Sequence, residues 1–282
     1  MGIMKKDSTE NYATELQSIL IKTADLDTCQ SLWQLMLGYP PIWQGRHGAA
    51  SGAVFNVSNI KVEIYQFDIE PNGGEQSKNE PDGIYGLCFT DLEALKTKDA
   101  DDVCFEAKQD GSIIECRQLQ LDLDRSRQVS LFIRDRDIFA LPDFEMTART
   151  NDQVTKIDHV VLRTHDTQAV KKIYGDALGI RLALEQDVPK WGGTMLFYRS
   201  AHMSIEIISN AKTDATRDNF WGVAFTCADI DAVHARLLEK GEAAELSASE
   251  IRDGRKPGTR VSTVKGIVVP TLLIGESAKN SG

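Results

Sequence analysis

Apolar and polar positions alternate with a period of two along much of this chain, which predicts a protein built mainly of half-buried strands. The first is Leu16–Thr23 (LQSILIKT), with Gln17, Ile19 and Ile21 on one face and Ser18, Leu20 and Lys22 on the other. The period then becomes helical through Trp33, Leu35 and Met36, behind Asp25 or Asp27 as N-cap and ahead of Gly38 as terminator. Two prolines and a glycine-rich loop, GRHGAASG, lead to strands at Ala53–Val57 and Ile60–Phe67. The turn-rich stretch EPNGGEQSKNEPDG closes that unit. Tyr85–Thr90 restarts the scheme, with a short helix over Leu92–Leu95 and strands over Ile113–Leu123 and Gln128–Arg134.

The second half repeats the first. Lys156–Ile208 reads as strand, helix and three strands, with His159 early in the first strand and Glu206 in the last. Ser18 and His159, Trp33 and Tyr174, and Gly38 and Gly179 share one spacing. Asp82-x-x-Tyr85-Gly86 answers Asp218-x-x-Trp221-Gly222 at a slightly shorter spacing, and VEI at Val62–Ile64 answers IEI at Ile205–Ile207. Agreement at several independent positions outweighs any single motif. The expected organisation is a disordered N-terminus over 1–14, a first module over 15–140, a linker over 141–153, a second module over 154–276 carrying the site, and a tail over 277–282. Each module holds two βαβββ passes.

Composition narrows the function. With 32 basic against 42 acidic residues the chain carries a formal charge of −10, which disfavours nucleic acid as a partner. The longest apolar run, Gly266 to Gly275, is interrupted by Pro270 and too short for a bilayer, so no membrane partner is expected. Five scattered cysteines without a CxxC pair suit reduced thiols and a cytoplasmic location.

The segments IDHVVL (Ile157–Leu162), YGDALGIRL (Tyr174–Leu182), GGTMLFYR (Gly192–Arg199), IEI (Ile205–Ile207) and WGVAFTCADIDAVHARLLEKG (Trp221–Gly241) resemble the vicinal oxygen chelate superfamily. Glyoxalase I, bleomycin-resistance proteins, fosfomycin-resistance transferases and extradiol dioxygenases belong to it. The resemblance implies an α+β fold of two tandem modules, each a pair of βαβββ units forming a curled, partly open, barrel-like mixed sheet. It also implies metal ligands from the first, fourth, fifth and eighth strands. In the second module those positions are His159, Glu206, Gly222 and Pro270 or Thr271; in the first they include Ser18, Glu63 and Gly86. In the second module only His159 and Glu206 are ordinary ligands, and the set in the first is poorer still. The implied cofactor is therefore a weakly held divalent metal (Zn, Fe, Mn or Ni), or none.

Strand alternation independently puts His159 and Glu206 on one side of the sheet, as two ligands, an acid–base pair, or a remnant hydrogen bond. The tract from Arg252 to Arg260 concentrates cations in a loop. Arg255, Lys256 and Arg260 are candidate anion anchors there, or merely solvated charges. Trp191, Phe197, Tyr198 and Trp221 are candidates for an aromatic substrate pocket or for core, and Tyr85 with Trp221 for packing at the module interface. His47 reads as a surface-loop histidine, or as a partner to Glu63. His165, His202 and His234 read as structural or exposed. The leading reading is a lyase- or isomerase-type enzyme acting on a small anionic or carbonyl-containing molecule, as monomer or homodimer, with catalytic His159 and Glu206. An extradiol dioxygenase, which needs two histidines and a carboxylate, fits poorly. The alternative is a non-catalytic small-molecule binder of the bleomycin-resistance kind.

Overall fold

The computed structural model describes residues 14–58, 60–68, 82–90, 101–107, 113–135, 137–139, 150–190, 193–200, 203–210 and 216–276. The helix expected over Leu92–Leu95, His202, the candidate Trp191 and both chain tails lie outside the described residues, as does most of the expected linker.

The fold is α+β, rich in strands, and organised in two sheets. The first contains β1 (Glu15–Lys22), β2 (Trp43–His47), β3 (Ala50–Asn56), β4 (Lys61–Phe67), β5 (Gly83–Thr90), β6 (Asp101–Ala107), β7 (Ile113–Gln120) and β8 (Ser130–Arg134). These close into a barrel in the order β1-β4-β3-β2-β6-β7-β8-β5. The second sheet contains β9 (Val154–Thr164), β10 (Arg181–Val188), β11 (Gly193–Ser200), β12 (Met203–Asn210), β13 (Asn219–Cys227), β14 (Ser247–Ala248), β15 (Arg252–Asp253), β16 (Thr259–Lys265) and β17 (Thr271–Glu276). It stays open, in the order β10-β11-β12-β9-β13-β17-β16-β14, with β15 added against β16. One sheet of the expected partly open pair is thus fully closed.

Alternation did not reveal β2 and β6. The glycine-rich stretch read as a loop is a hairpin, β2 paired with β3, because its glycines let backbones approach. A Cβ on Gly45 would sit 2.1 Å from the Glu106 carbonyl oxygen. His47 is therefore no loop histidine. It ends β2 and stacks on Phe105, with ring centroids 3.9 Å apart.

Each described α-helix starts on an aspartate. Asp25 accepts from the Thr28 amide to open α1 (Leu26–Leu37), and Gly38 at φ 90° closes it. Asp166 opens α2 (Thr167–Val170), which continues as a π-helical segment, Lys171–Ala177. Asp229 opens α3 (Ile230–Gly241). The two modules share one hydrophobic core, in which Trp33 of α1 meets Phe225 of β13 edge-on at 5.9 Å. The guanidinium of Arg236, on α3, donates to the Leu35 and Met36 carbonyls, placing a cation on the orphan acceptors at the end of α1. A second apolar cluster, including Trp43, Tyr65, Phe105 and Phe132, fills the first barrel.

Candidate functional site

Register fixes which side chains meet. On the second sheet His159 pairs with Ser204 across the parallel β9–β12 ladder, so His159, Val161, Ser204 and Glu206 share one face. Val160, Leu162, Ile205 and Ile207 share the other and are buried in the common core. On the first face His159 Nε2 lies 3.3 Å from Glu206 Oε2, with side chains 18% and 13% exposed. Both groups are thus partly shielded yet reachable.

A third member was not readable from alternation. Asp158 precedes His159 and should point to the opposite face. However, β13 pairs Ala224 with His159 and the next residue, Phe225, with Ile157. That register shift makes Asp158 the extra residue of a β-bulge. Its Oδ2 reaches His159 Nδ1 at 2.8 Å. The result is a line of groups, Asp158 to His159 to Glu206, with the imidazole in the middle. The hydrogen bond from His159 holds the Asp158 carboxyl below its usual range, against the opposing effect of burial. Burial pushes Glu206 above its usual range, an effect reduced by the nearby His159 and Arg255 and reinforced by Asp158.

The loop after β15 crosses this face. Arg255 Nη1 donates to the Met195 sulfur at 3.4 Å, and Arg255 is close enough to act on the charge of Glu206. Lys256 acts in the same way on Asp158. Arg260 is differently placed: both its terminal nitrogens donate to Asp231 on α3, at 2.5 and 2.9 Å. That bidentate pair engages its fork away from the imidazole.

The aromatic candidates separate too. Phe197 pairs directly with Glu206 and shares its face. Tyr198 is on the reverse side, 1% exposed and tilted against Tyr174 at 5.7 Å, and is core. Trp221 lies outside the His159 cluster, its ring 4.2 Å from the Arg163 guanidinium at the edge of the space between the modules. Of the remaining histidines, His165 is exposed and His234 bonds the Ser249 carbonyl oxygen at 2.9 Å.

The implied metal does not fit these donors. A Cβ on Gly222 would fall 2.4 Å from the Pro270 carbonyl oxygen, so no side chain can stand there. Thr271 Oγ1 is turned to the Val269 carbonyl oxygen at 2.8 Å. Asp158 binds the ring nitrogen opposite Glu206, so these two carboxylates do not converge on one ion. Among the described residues no group of three or more His, Cys, Asp or Glu forms a cation cage.

In the first module the same register reads differently. Ser18 pairs with Lys61 as His159 pairs with Ser204, which puts Glu63 where Glu206 stands. Glu63 is fully buried and receives Arg134 through two bonds, of 2.7 and 3.1 Å, and the Tyr65 hydroxyl at 2.7 Å. Arg134, which sequence reading did not single out, also donates to Gln118 and lies over the Phe105 ring. The interior is filled and its charge is balanced.

Comparison with known proteins agrees with the architecture. Residues 158–263 match the model described as "Glyoxalase/Bleomycin resistance protein/Dioxygenase superfamily". A Mn(II)-bound glyoxalase from Novosphingobium aromaticivorans shares the fold at TM-score 0.60 and 15% identity, over 94% of this chain and 83% of that one. A mutant 4-hydroxymandelate synthase from Streptomyces coelicolor does so at TM-score 0.60 and 13% identity, over 94% and 93%. No curated protein matches. The resemblance to the vicinal oxygen chelate superfamily is therefore borne out, at the level of fold. No described helix is long and apolar enough to cross a membrane.

Proposed function

From a chain that carries the glyoxalase/bleomycin resistance/dioxygenase fold, we propose a small-molecule enzyme that moves a proton at a carbon beside a carbonyl, using the second module without a metal. The reading rests on one observation: the imidazole of His159 is held between Asp158 at 2.8 Å and Glu206 at 3.3 Å, under a loop bearing Arg255 and Lys256.

A carboxylate on Nδ1 selects the tautomer with the proton there, leaving the Nε2 lone pair toward Glu206. Two lone pairs do not face each other at 3.3 Å, so one proton is shared between Nε2 and Oε2. Burial, which raises the Glu206 carboxyl above its ordinary range, is in keeping with a proton at this contact. A substrate entering over this face displaces the Glu206 carboxyl, with its proton, from Nε2 and offers its acidic C–H to the freed lone pair. The imidazolium so formed is stabilised by Asp158, and the negative charge moves to the enolate oxygen. Arg255, with Lys256, answers that charge and anchors the substrate anion. Return of the proton from Nε2 to the neighbouring carbon of the enediolate gives an isomerase; expulsion of a neighbouring leaving group, protonated by the imidazolium, gives a lyase. The expected compartment is the cytoplasm, in keeping with five unpaired cysteines.

The test is hydrogen exchange. Chelator-treated protein is incubated in D2O with pyruvate, 2-oxobutyrate and oxaloacetate, and loss of the C–H signal is followed by proton NMR. Wild type should accelerate exchange, and His159→Gln should slow it by about 10²–10⁴-fold. Saturable binding of these compounds without exchange would instead identify a sequestering binder. Exchange that survives His159→Gln would put the base elsewhere.

A further inference from the structure

A cavity of about 510 Å³ opens between the two modules, and neither His159 nor Glu206 lines it. The same segment of each module meets there: Asp82 to Tyr85 at the start of β5 and Asp218 to Trp221 at the start of β13. Lys22 pairs with Gly83 as Arg163 pairs with Asn219, so each side brings a cation from the end of its first strand. Lys22 and Arg217 line the cavity, and Arg163 stacks on the Trp221 ring that forms one wall.

The carboxylates at this junction are hydrogen-bonded to their own modules' strand ends and loops. Asp82 accepts from Thr23 Oγ1 and the Ala24 amide. Asp218 accepts from Thr164 Oγ1 at 2.7 Å and Arg127 Nε at 2.9 Å. Both aspartates line the cavity beside Lys22 and Arg217, with part of their acceptor capacity taken up by these bonds within the walls.

Two features here are costly for folding alone. Trp221 is 46% exposed, at a register shift of β13 between Phe220 and Gly222. Arg127 and Gln128, consecutive and neither of them glycine, hold φ of 57° and 65°, and Gln128 lines the cavity. Strained backbone and exposed aromatic surface concentrate where ligands bind. We propose that this inter-module cleft is a second ligand site, for a planar aromatic carboxylate, with its ring against Trp221 and its anion toward Lys22 and Arg217. The aromatic face supplies stacking, and the cations supply orientation.

The experiment titrates the full chain with 2-naphthoate at low salt by calorimetry. Wild type should bind one equivalent saturably. Trp221→Ala should weaken binding about tenfold or more. Arg217→Glu should weaken it comparably at low salt and less at high salt. Both residues are exposed, so both variants keep the fold. His159→Gln should bind as wild type does, which makes the result independent of the proton-transfer reading. Unchanged binding in both cleft variants, loss of binding in His159→Gln, or no saturable binding at millimolar ligand would each overturn the proposal.

Discussion

Two glutamates occupy the same register on the two sheets and live in opposite surroundings. Glu63 is sealed inside a closed barrel, where burial works to raise its pKa and Arg134, with the Ser18 and Tyr65 bonds, more than offsets it. Glu206 lies on an open sheet with a neutral-capable imidazole as its nearest partner, and burial prevails. A guanidinium satisfies a carboxylate permanently; an imidazole can give the proton up. The difference separates a module whose buried carboxylate is fully compensated by a guanidinium from one whose carboxylate stays partly exposed beside an imidazole.

The largest effect should come from breaking the permanent pair. Arg134→Met leaves Glu63 buried without its countercharge and should cost about 3–5 kcal/mol of stability, measured by urea denaturation. The corresponding change in the second module, Glu206→Gln, should move stability by less than about 1 kcal/mol while impairing exchange. Equal destabilisation by both would abolish the contrast.

Acid should distinguish the modules next. His47 is lowered to about 4 by burial and then by Arg134, against Glu63, from an ordinary value of 6.5. The unfolded chain therefore takes up that proton first. Stability of the first module should fall as pH drops from 6.5 toward 4, by up to ~3 kcal/mol. Glu63, held below its ordinary value of 4.5, adds a loss at still lower pH. Glu206, raised from 4.5, has the opposite sign: its contribution is full below 4.5 and is lost as pH rises through its folded pKa. Hydrogen exchange resolved by strand should show the barrel opening first in acid, and His47→Gln should flatten the slope.

How much of this the chain disclosed depended on the distance over which each signal acts. The shared face of His159 and Glu206 follows from alternation within two strands, and the doubled architecture from repeated spacings. Asp158 escaped because a one-residue bulge, set by β13 far along the chain, turns it to the wrong face for its parity. Arg134 escaped because its partner is 71 residues away and a single arginine at a strand end carries no pattern. Arg260 looked like an anchor beside Arg255 until Asp231, on another element, claimed it. The β2 strand hid behind glycines chosen for close backbone approach rather than for a turn.

A smaller effect sharpens the role of the bulge. Asp158→Asn keeps the shape but removes the carboxylate that sets the tautomer, and should slow exchange about 10–100-fold with little change in substrate affinity. A loss confined to affinity would make Asp158 a binding residue instead.

The most direct measurement is the protonation pattern of the His159 ring, read from long-range proton–nitrogen correlation spectra of 15N-histidine-labelled protein at pH 8 and assigned through His159→Gln. The proton should reside on Nδ1 in wild type and redistribute between the two nitrogens in Asp158→Asn. A ring carrying its proton on Nε2 in wild type would mean that the imidazole is not set as a base toward Glu206, and the proposed chemistry of the second module would fail.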